Sequence, residues 1–455
     1  MRFSSYNILT RRLREGSYVI LNSMKGTIDL IDEEAYELIS SHEGEEILSQ
    51  EVLEQLAELK DHFIERGYLT PFGRKDELAK AKEFAQELME NELKNGNWGI
   101  WLAPNLGCNY RCTYCFEQAA GYPTAIMSRE QVDAVFEIIK GHVAPEETIS
   151  LYGGEPLAKA NRKIVEYIVE KGSNIGIPFF AITNAHDLNH YMDLIGSNKI
   201  SRLQITVDGP RKIHDRRRIS LDRASSYERV LANIETALRN TDVSIMLRIN
   251  LDKENAPYIM ELLQELEQRG ILDSPSLQVT ASPVVGVGDL TIQYDELREL
   301  EMEVTGKYPR FKDSFTNREI SVNKDILPAL YFGEPVRRIV TACGASSTSK
   351  VFAPDGKIYS CLGCVGRSDQ IIGTYNEEGH INWNEKLLDE WKRTMLAYNM
   401  ECLNCKYSFL CGGGCRRPPL PKETAAYIYD CDFYLNMFDD HLARVTETYL
   451  ETENI

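Results

Sequence analysis

The 455-residue chain has no run approaching about 18 consecutive apolar residues, which excludes a membrane-spanning helix. It also lacks a basic start followed by an apolar stretch. Met1-Arg2-Phe3-Ser4-Ser5 leads into mixed polar sequence, so no signal peptide is expected. Basic excess is missing too: the formal net charge is −18. Such a chain repels phosphates except at a local basic patch, which disfavours a nucleic-acid partner. Arg216-Arg217-Arg218 is the one dense basic run of the central region, and a solvated surface turn is its plainest reading. No His or acid has a spacing that marks it as a catalytic acid or base, so catalytic residues stay unassigned. What remains is ordinary globular composition, 43% hydrophobic and 26% charged, with length for about three domains.

Cysteine is not scarce. Eleven thiols without an export signal point to a reducing, cytoplasmic compartment and to metal, not disulfides. Three fall in Cys108-Asn-Tyr-Arg-Cys112-Thr-Tyr-Cys115, a C-x3-C-x2-C triplet with no acid or His among them, which suits a soft metal. A fourth thiolate would complete a zinc site or an electron-transfer cluster, but the next cysteine, Cys343, is far along the chain. A cluster on three thiolates keeps one iron open for a substrate. In this spacing, and in Tyr114 before the last cysteine, the triplet resembles the radical S-adenosylmethionine (radical SAM) signature.

Around the triplet, six β-prone runs (98–103, 148–152, 178–183, 202–207, 243–250 and 276–281) alternate with helical segments. The alternation argues for an α/β fold with a parallel sheet, whose catalytic groups lie at the C-terminal ends of its strands. Six units match the partial (β/α)6, TIM-like barrel that the resemblance implies. Ser128 and Gln131 read as a capping box opening the first intervening helix. Gly153-Gly154-Glu155-Pro156 follows the second run; paired glycines permit close backbone approach to a ligand, and the carboxylate can pair with an ammonium group. Its place matches where radical SAM enzymes hold the amino group of the methionine moiety. Asn184 and Thr206, ending the third and fourth runs, resemble family residues that reach the ribose, although Ala185 stands where Gly is common and Thr206 where Ser is. Arg218 resembles a family position that meets the methionine carboxylate. Asp208-Gly209 reads equally as a turn.

Ahead of this core, residues 18–22 and 27–31 read as a hairpin, Asp32 as the cap of a helix through Ser40, and residues 50–67 as a second helix with Leu53, Leu56, Leu59 and Phe63 as its buried stripe. Residues 1–75 thus form a winged-helix-like module, and 76–96 a linker helix ended by Asn95-Gly96. The module resembles the peptide-recognition domain of ribosomal-peptide maturases, in which a leader peptide adds a strand to the hairpin edge. A packing appendage is the alternative. The core then covers 97–330 and a cysteine-rich domain 331–455.

In that last domain, Pro354-Asp355-Gly356 reads as a D-G hairpin that brings Cys343 and Cys361 together. Cys402, Cys405, Cys411, Cys415 and Cys431 follow, with Gly412-Gly413-Gly414 among them. These seven thiols resemble the SPASM pattern of radical SAM peptide and protein maturases. The resemblance implies two auxiliary 4Fe–4S clusters beside the SAM-binding one, three in all. The outer would be held by Cys402, Cys405, Cys411 and Cys431, the inner by Cys343, Cys361 and Cys415. Cys364 is extra to the pattern; either it completes the inner cluster or the position stays open for a substrate thiolate.

The resemblance implies a radical SAM/SPASM maturase that takes an electron from flavodoxin or ferredoxin, cleaves SAM and abstracts hydrogen from a Cys-containing, leader-bearing precursor peptide. It is most similar to the thioether-forming (sactipeptide and ranthipeptide) types. An anaerobic sulfatase-maturing enzyme or a maturase making carbon–carbon links or epimers shares the core. A zinc-structured interaction protein is the non-enzymatic alternative.

Overall fold

A computed structural model describes residues 1–117, 121, 124–144, 147–284, 288–312, 315, 320–417 and 431–453. Six strands, Gly99–Leu102, Ile149–Leu151, Phe179–Thr183, Ile200–Thr206, Ser244–Leu251 and Leu277–Pro283, run parallel and adjacent in chain order. Each is an aliphatic-rich run covered by amphipathic helices. Arg162–Asn174 buries Ile164, Val165, Ile168 and Val169, and Tyr227–Asn240 buries Val230, Leu231 and Ile234, both at helical spacing. The helix Arg129–Ile138 opens with the expected reciprocal Ser128/Gln131 cap.

The sheet does not close on itself among the described residues. Its first parallel strand pairs on its other side with Ser349–Phe352, also parallel. That strand begins an antiparallel meander with Lys357–Tyr359, Gly373–Tyr375 and Ile381–Trp383, giving ten strands in one sheet. The D-G turn is present, with Gly356 at φ 72°, but its hairpin extends the central sheet. One apolar core therefore runs from Ile149 and Leu203 through Phe352, Ile372 and Trp391.

At the N-terminus, a strand Asn7–Leu9 joins the anticipated hairpin, Tyr18–Asn22 with Thr27–Ile31, in a three-stranded meander. Asp32 caps Glu33–Ser41 as expected. The expected helix over 50–67 is two, Gln50–Gln55 and Lys60–Arg66. The break resets the helical phase: Leu56 and Phe63 stay buried, Leu59 turns out to 40% exposed, and Val52 is buried instead. No Pro or Gly marks that break in the sequence.

The central strand of the meander is buried on both faces. Tyr18 and Ile20 pack with Ala35, Ile39 and Phe63, while Val19 and Leu21 pack with Ile326, Leu410 and Leu442. The helix Arg74–Asn95 is likewise no solvated spacer: Ala81, Ala85 and Met89 bury against Val340, Met395 and Leu403. Its buried Glu77 accepts from Arg2 at 2.5 Å and from the Ser4 hydroxyl at 2.7 Å. Among the described residues no helix is long and apolar enough to cross a membrane.

Candidate functional site

The first parallel strand delivers the chain to the C-terminal edge of the sheet, where the cysteine triplet begins. The backbone N–H of Tyr110 donates to Cys108 Sγ at 3.3 Å. A short strand, Tyr110–Cys112, then pairs antiparallel with Arg218–Ser220, setting Arg218 opposite Cys112. The Cys115 N–H reaches the Cys112 carbonyl at 3.2 Å, closing the triplet. Burial pushes the Cys112 thiol up to about 11, while Arg218 pulls it back. A thiolate here therefore needs a cation to hold it, which is what a metal cluster provides.

The paired glycines press on this loop directly. A Cβ on Gly153 would lie 2.2 Å from the Asn105 carbonyl oxygen, and one on Gly154 would lie 2.2 Å from the Gly107 carbonyl oxygen and 2.8 Å from the Cys108 nitrogen. The close approach that demands glycine is thus to the cysteine loop itself. Glu155 is only 2% exposed. Its N–H donates to Gly107 O at 2.9 Å, and its carboxylate accepts from the Thr183 hydroxyl (2.5 Å) and from the N–H groups of Leu157 (2.9 Å) and Asn184 (2.6 Å). Burial raises this carboxyl to about 7 in spite of those donors.

Asn184 reaches back in turn. Its amide donates to Asn109 Oδ1 at 2.7 Å, beside Cys108, and its oxygen accepts from the His186 N–H at 2.9 Å. The next residue, Ala185, is held at φ 58°, the left-handed region where Gly is at ease and Ala is not. Thr206 is buried at the end of its strand.

The basic run departs from its expected surface placement. Arg216 is exposed and pairs with Glu254 at 2.7 Å, but Arg217 and Arg218 are buried. Arg217 pairs with Asp252 at 2.6 Å and stands 3.6 Å from Asp208. The Tyr114 hydroxyl donates to Asp208, and accepts from Arg218 at 2.7 Å and from the Asn250 amide at 3.2 Å. Burial works against the Arg218 charge, but Cys112, Tyr114 and Asp208 outweigh it and hold the guanidinium protonated. Sequence reasoning missed this network of Tyr114, Asp208, Arg217 and Asn250. Its one visible signal was an arginine run three strands away from a buried aromatic.

The C-terminal thiols sort into two further groups. Cys402, Cys405, Cys411 and Cys431 lie within electrostatic reach of one another. Between them Gly412, Gly413 and Gly414 all take positive φ (64°, 86° and 71°), and a Cβ on Gly412 would lie 2.5 Å from Thr341 carbon. Cys343 neighbours Cys361 and Cys415. Cys364 follows in the short turn Leu362–Cys364, hydrogen-bonded to Cys361 and wholly buried in the main core. No disulfide joins any described cysteine. Among the described residues no three His, Cys, Asp or Glu side chains converge as one metal ion requires. An all-sulfur donor set spread in separate groups fits iron–sulfur clusters, where each iron takes its own thiolate.

Three comparisons bear on this geometry. Residues 102–266 match the model of the radical SAM superfamily. The chain is 23% identical, over 74% of its length and 93% of the relative, to the cysteine-type anaerobic sulfatase-maturating enzyme of Clostridium novyi (strain NT). It is 22% identical, over 73% of its length and 93% of the relative, to the enzyme of the same name from Clostridium perfringens (strain 13 / Type A). The solved structure of native anSMEcpe with bound AdoMet and Cp18Cys peptide shares the fold, with a TM-score of 0.56, 19% identity, and cover of 78% of this chain and 99% of that one. The thiol triplet lies inside the matched segment, at the strand ends of its sheet, and the chain carries a radical SAM domain.

Proposed function

We propose that this chain is a radical SAM peptide maturase that forms thioether cross-links, from cysteine thiols to carbon, in a ribosomally made precursor. The observation that carries the reading is the sorting of ten thiols into a local triplet, a further three and a group of four. Cys108, Cys112 and Cys115 would hold the SAM-binding cluster, Cys343, Cys361 and Cys415 the inner auxiliary cluster, and Cys402, Cys405, Cys411 and Cys431 the outer. Once bound, the cluster and SAM supply a radical able to take hydrogen from an unactivated carbon.

The chain's own residues orient and exclude. Gly153, Gly154 and Glu155 brace the cysteine loop against the third strand, and they would hold the amino end of the methionine moiety of SAM. Asn184 and Thr206 would reach the ribose, and Arg218 sets a fixed positive charge beside Cys112. The outer edge of Thr27–Ile31 pairs with no strand among the described residues, which suits a leader peptide added there. Flavodoxin or ferredoxin is the expected electron donor, and the cytoplasm the expected compartment.

The names of the sequence relatives keep a second reading in play, an anaerobic sulfatase-maturing enzyme, which would oxidise Cys or Ser to formylglycine. High-resolution mass spectrometry separates the two. A precursor peptide encoded beside the gene is incubated anaerobically with reconstituted enzyme, SAM and reductant. Loss of two hydrogens per event, with thiols no longer alkylatable, supports thioether formation. The same loss with all thiols free supports carbon–carbon linkage and sinks the thioether. Conversion of a sulfatase peptide alone supports the second reading. In each case Cys112→Ala should abolish SAM cleavage while auxiliary-cluster absorbance remains.

A further inference from the structure

We propose that Tyr6, in the N-terminal module, is a positioning residue for the four-thiol group Cys402, Cys405, Cys411 and Cys431. The module is then part of that site, not an appendage beside it. The inference rests on the assignment of those thiols to a cluster under the proposed function.

Tyr6 is only 2% exposed, and its hydroxyl donates to the Leu403 carbonyl at 3.0 Å. Leu403 lies between Cys402 and Cys405, at the end of the one-turn helix Met400–Leu403, where carbonyls have no partner within the helix. The Tyr6 ring packs at 5.8 Å and 58° on Phe409, which lies between Cys405 and Cys411. Leu403 and Phe409 are both wholly buried. One side chain from the far end of the sequence thus touches both inter-cysteine segments of the group.

Tyr6 is itself held. Its carbonyl accepts from the Ser23 N–H at 3.0 Å, and its N–H donates to Ser4 Oγ at 3.2 Å, whose hydroxyl donates to Glu77. The rest of the meander grips the same loop from another side. Ile8, Val19 and Leu21 share an apolar cluster with Tyr407 and Leu410, and Cys405 and Cys411 are half-buried against it. A shift of the N-terminal sheet therefore moves the backbone that aims these thiols. Losing the hydroxyl leaves the buried Leu403 carbonyl without this donor and lets the segment between Cys402 and Cys405 relax.

The test uses the full-length reconstituted protein. Its outer-cluster signal is taken as the difference in EPR between wild type and a Cys402→Ala/Cys405→Ala double variant. Tyr6→Phe keeps the ring and removes only the hydroxyl. The expected result is a changed outer-cluster EPR and iron loss to a chelator on the order of fivefold faster, the effect of one net hydrogen bond. The signal of the Cys108/Cys112/Cys115 group should stay as in wild type. An unchanged outer signal and release rate in Tyr6→Phe overturns the proposal. So does a Tyr6→Ala variant that melts earlier yet keeps the wild-type spectrum, because Tyr6 then only packs. Undiminished iron in the double cysteine variant overturns the thiol assignment itself, and this proposal with it.

Discussion

Arg218 stands directly opposite Cys112 across the two-stranded pair formed by Tyr110–Cys112 and Arg218–Ser220. Its guanidinium is buried and donates to Tyr114, so a fixed positive charge lies beside the triplet. A nearby cation favours adding an electron. Arg218→Gln should therefore move the triplet cluster's potential to more negative values and slow SAM cleavage. The fold should lose about 1–3 kcal/mol, the cost of leaving the buried Tyr114 hydroxyl without this donor. A redox titration showing the wild-type potential would refute the electrostatic role.

Gly154 has no room for a methyl group, since the nearest atoms are backbone of the cysteine loop. Gly154→Ala should destabilise the protein by about 1–3 kcal/mol through overpacking. The more telling outcome is loss of iron from the triplet with the auxiliary groups intact. Iron and sulfide analysis beside melting curves reads both, and a fully loaded variant would show that the loop accommodates.

Ala185 holds a backbone conformation that suits glycine, yet its methyl group is buried in the core. Ala185→Gly removes strain and packing together, so its melting temperature should stay near that of wild type. Ala185→Val adds a β-branched side chain at positive φ and should cost about 2 kcal/mol or more. Equal stability of the two variants would argue against a constrained turn after Asn184.

Glu155 carries its own pH signature. Burial raises the folded carboxyl to about 7 from 4.5, so between those values the unfolded chain gives up a proton that the folded one keeps. Its contribution to stability is complete below about pH 4.5 and declines as pH climbs to about 7, by about 3 kcal/mol at most. In cluster-free protein, the melting temperature of wild type should fall relative to Glu155→Gln from pH 5 to 7.5. Parallel curves would contradict the raised carboxyl.

Cys364 is wholly buried in the main core, whereas Cys343, Cys415 and Cys431 are exposed. Cys364 touches Cys361, but it has no exposure at all, whereas the buried ligand candidate Cys112 keeps 8%. Cys364→Ala should therefore cost about 1–2 kcal/mol of stability and leave iron per chain unchanged. A loss of about four irons per chain would instead make it the fourth inner ligand.

The parallel strands were legible because their runs are apolar-rich, with alternate residues fully buried, and regularly interrupted by helices. The Asp32 and Ser128 caps were legible for a similar reason, since a cap depends on residues within one turn. The helix break between Gln55 and Lys60 was not, because no Pro or Gly announces it. Arg217 and Arg218 misled for the opposite reason: an arginine run reads as solvated unless its acidic partners, Asp208 and Asp252, are brought to it by other strands.

By itself the sequence determined the chemistry on offer: three cysteine spacings, paired glycines before Glu155, and six strands in order. Those features are local, and local spacing survives in one dimension. Only the tertiary structure decided that the glycines face the cysteine loop, that Arg218 lies against Cys112, and that the N-terminal meander packs on the segment from Cys402 to Cys411. Such contacts join residues from dozens to hundreds of positions apart, and they arise because buried carbonyls, charges and apolar faces must find partners wherever the fold supplies them.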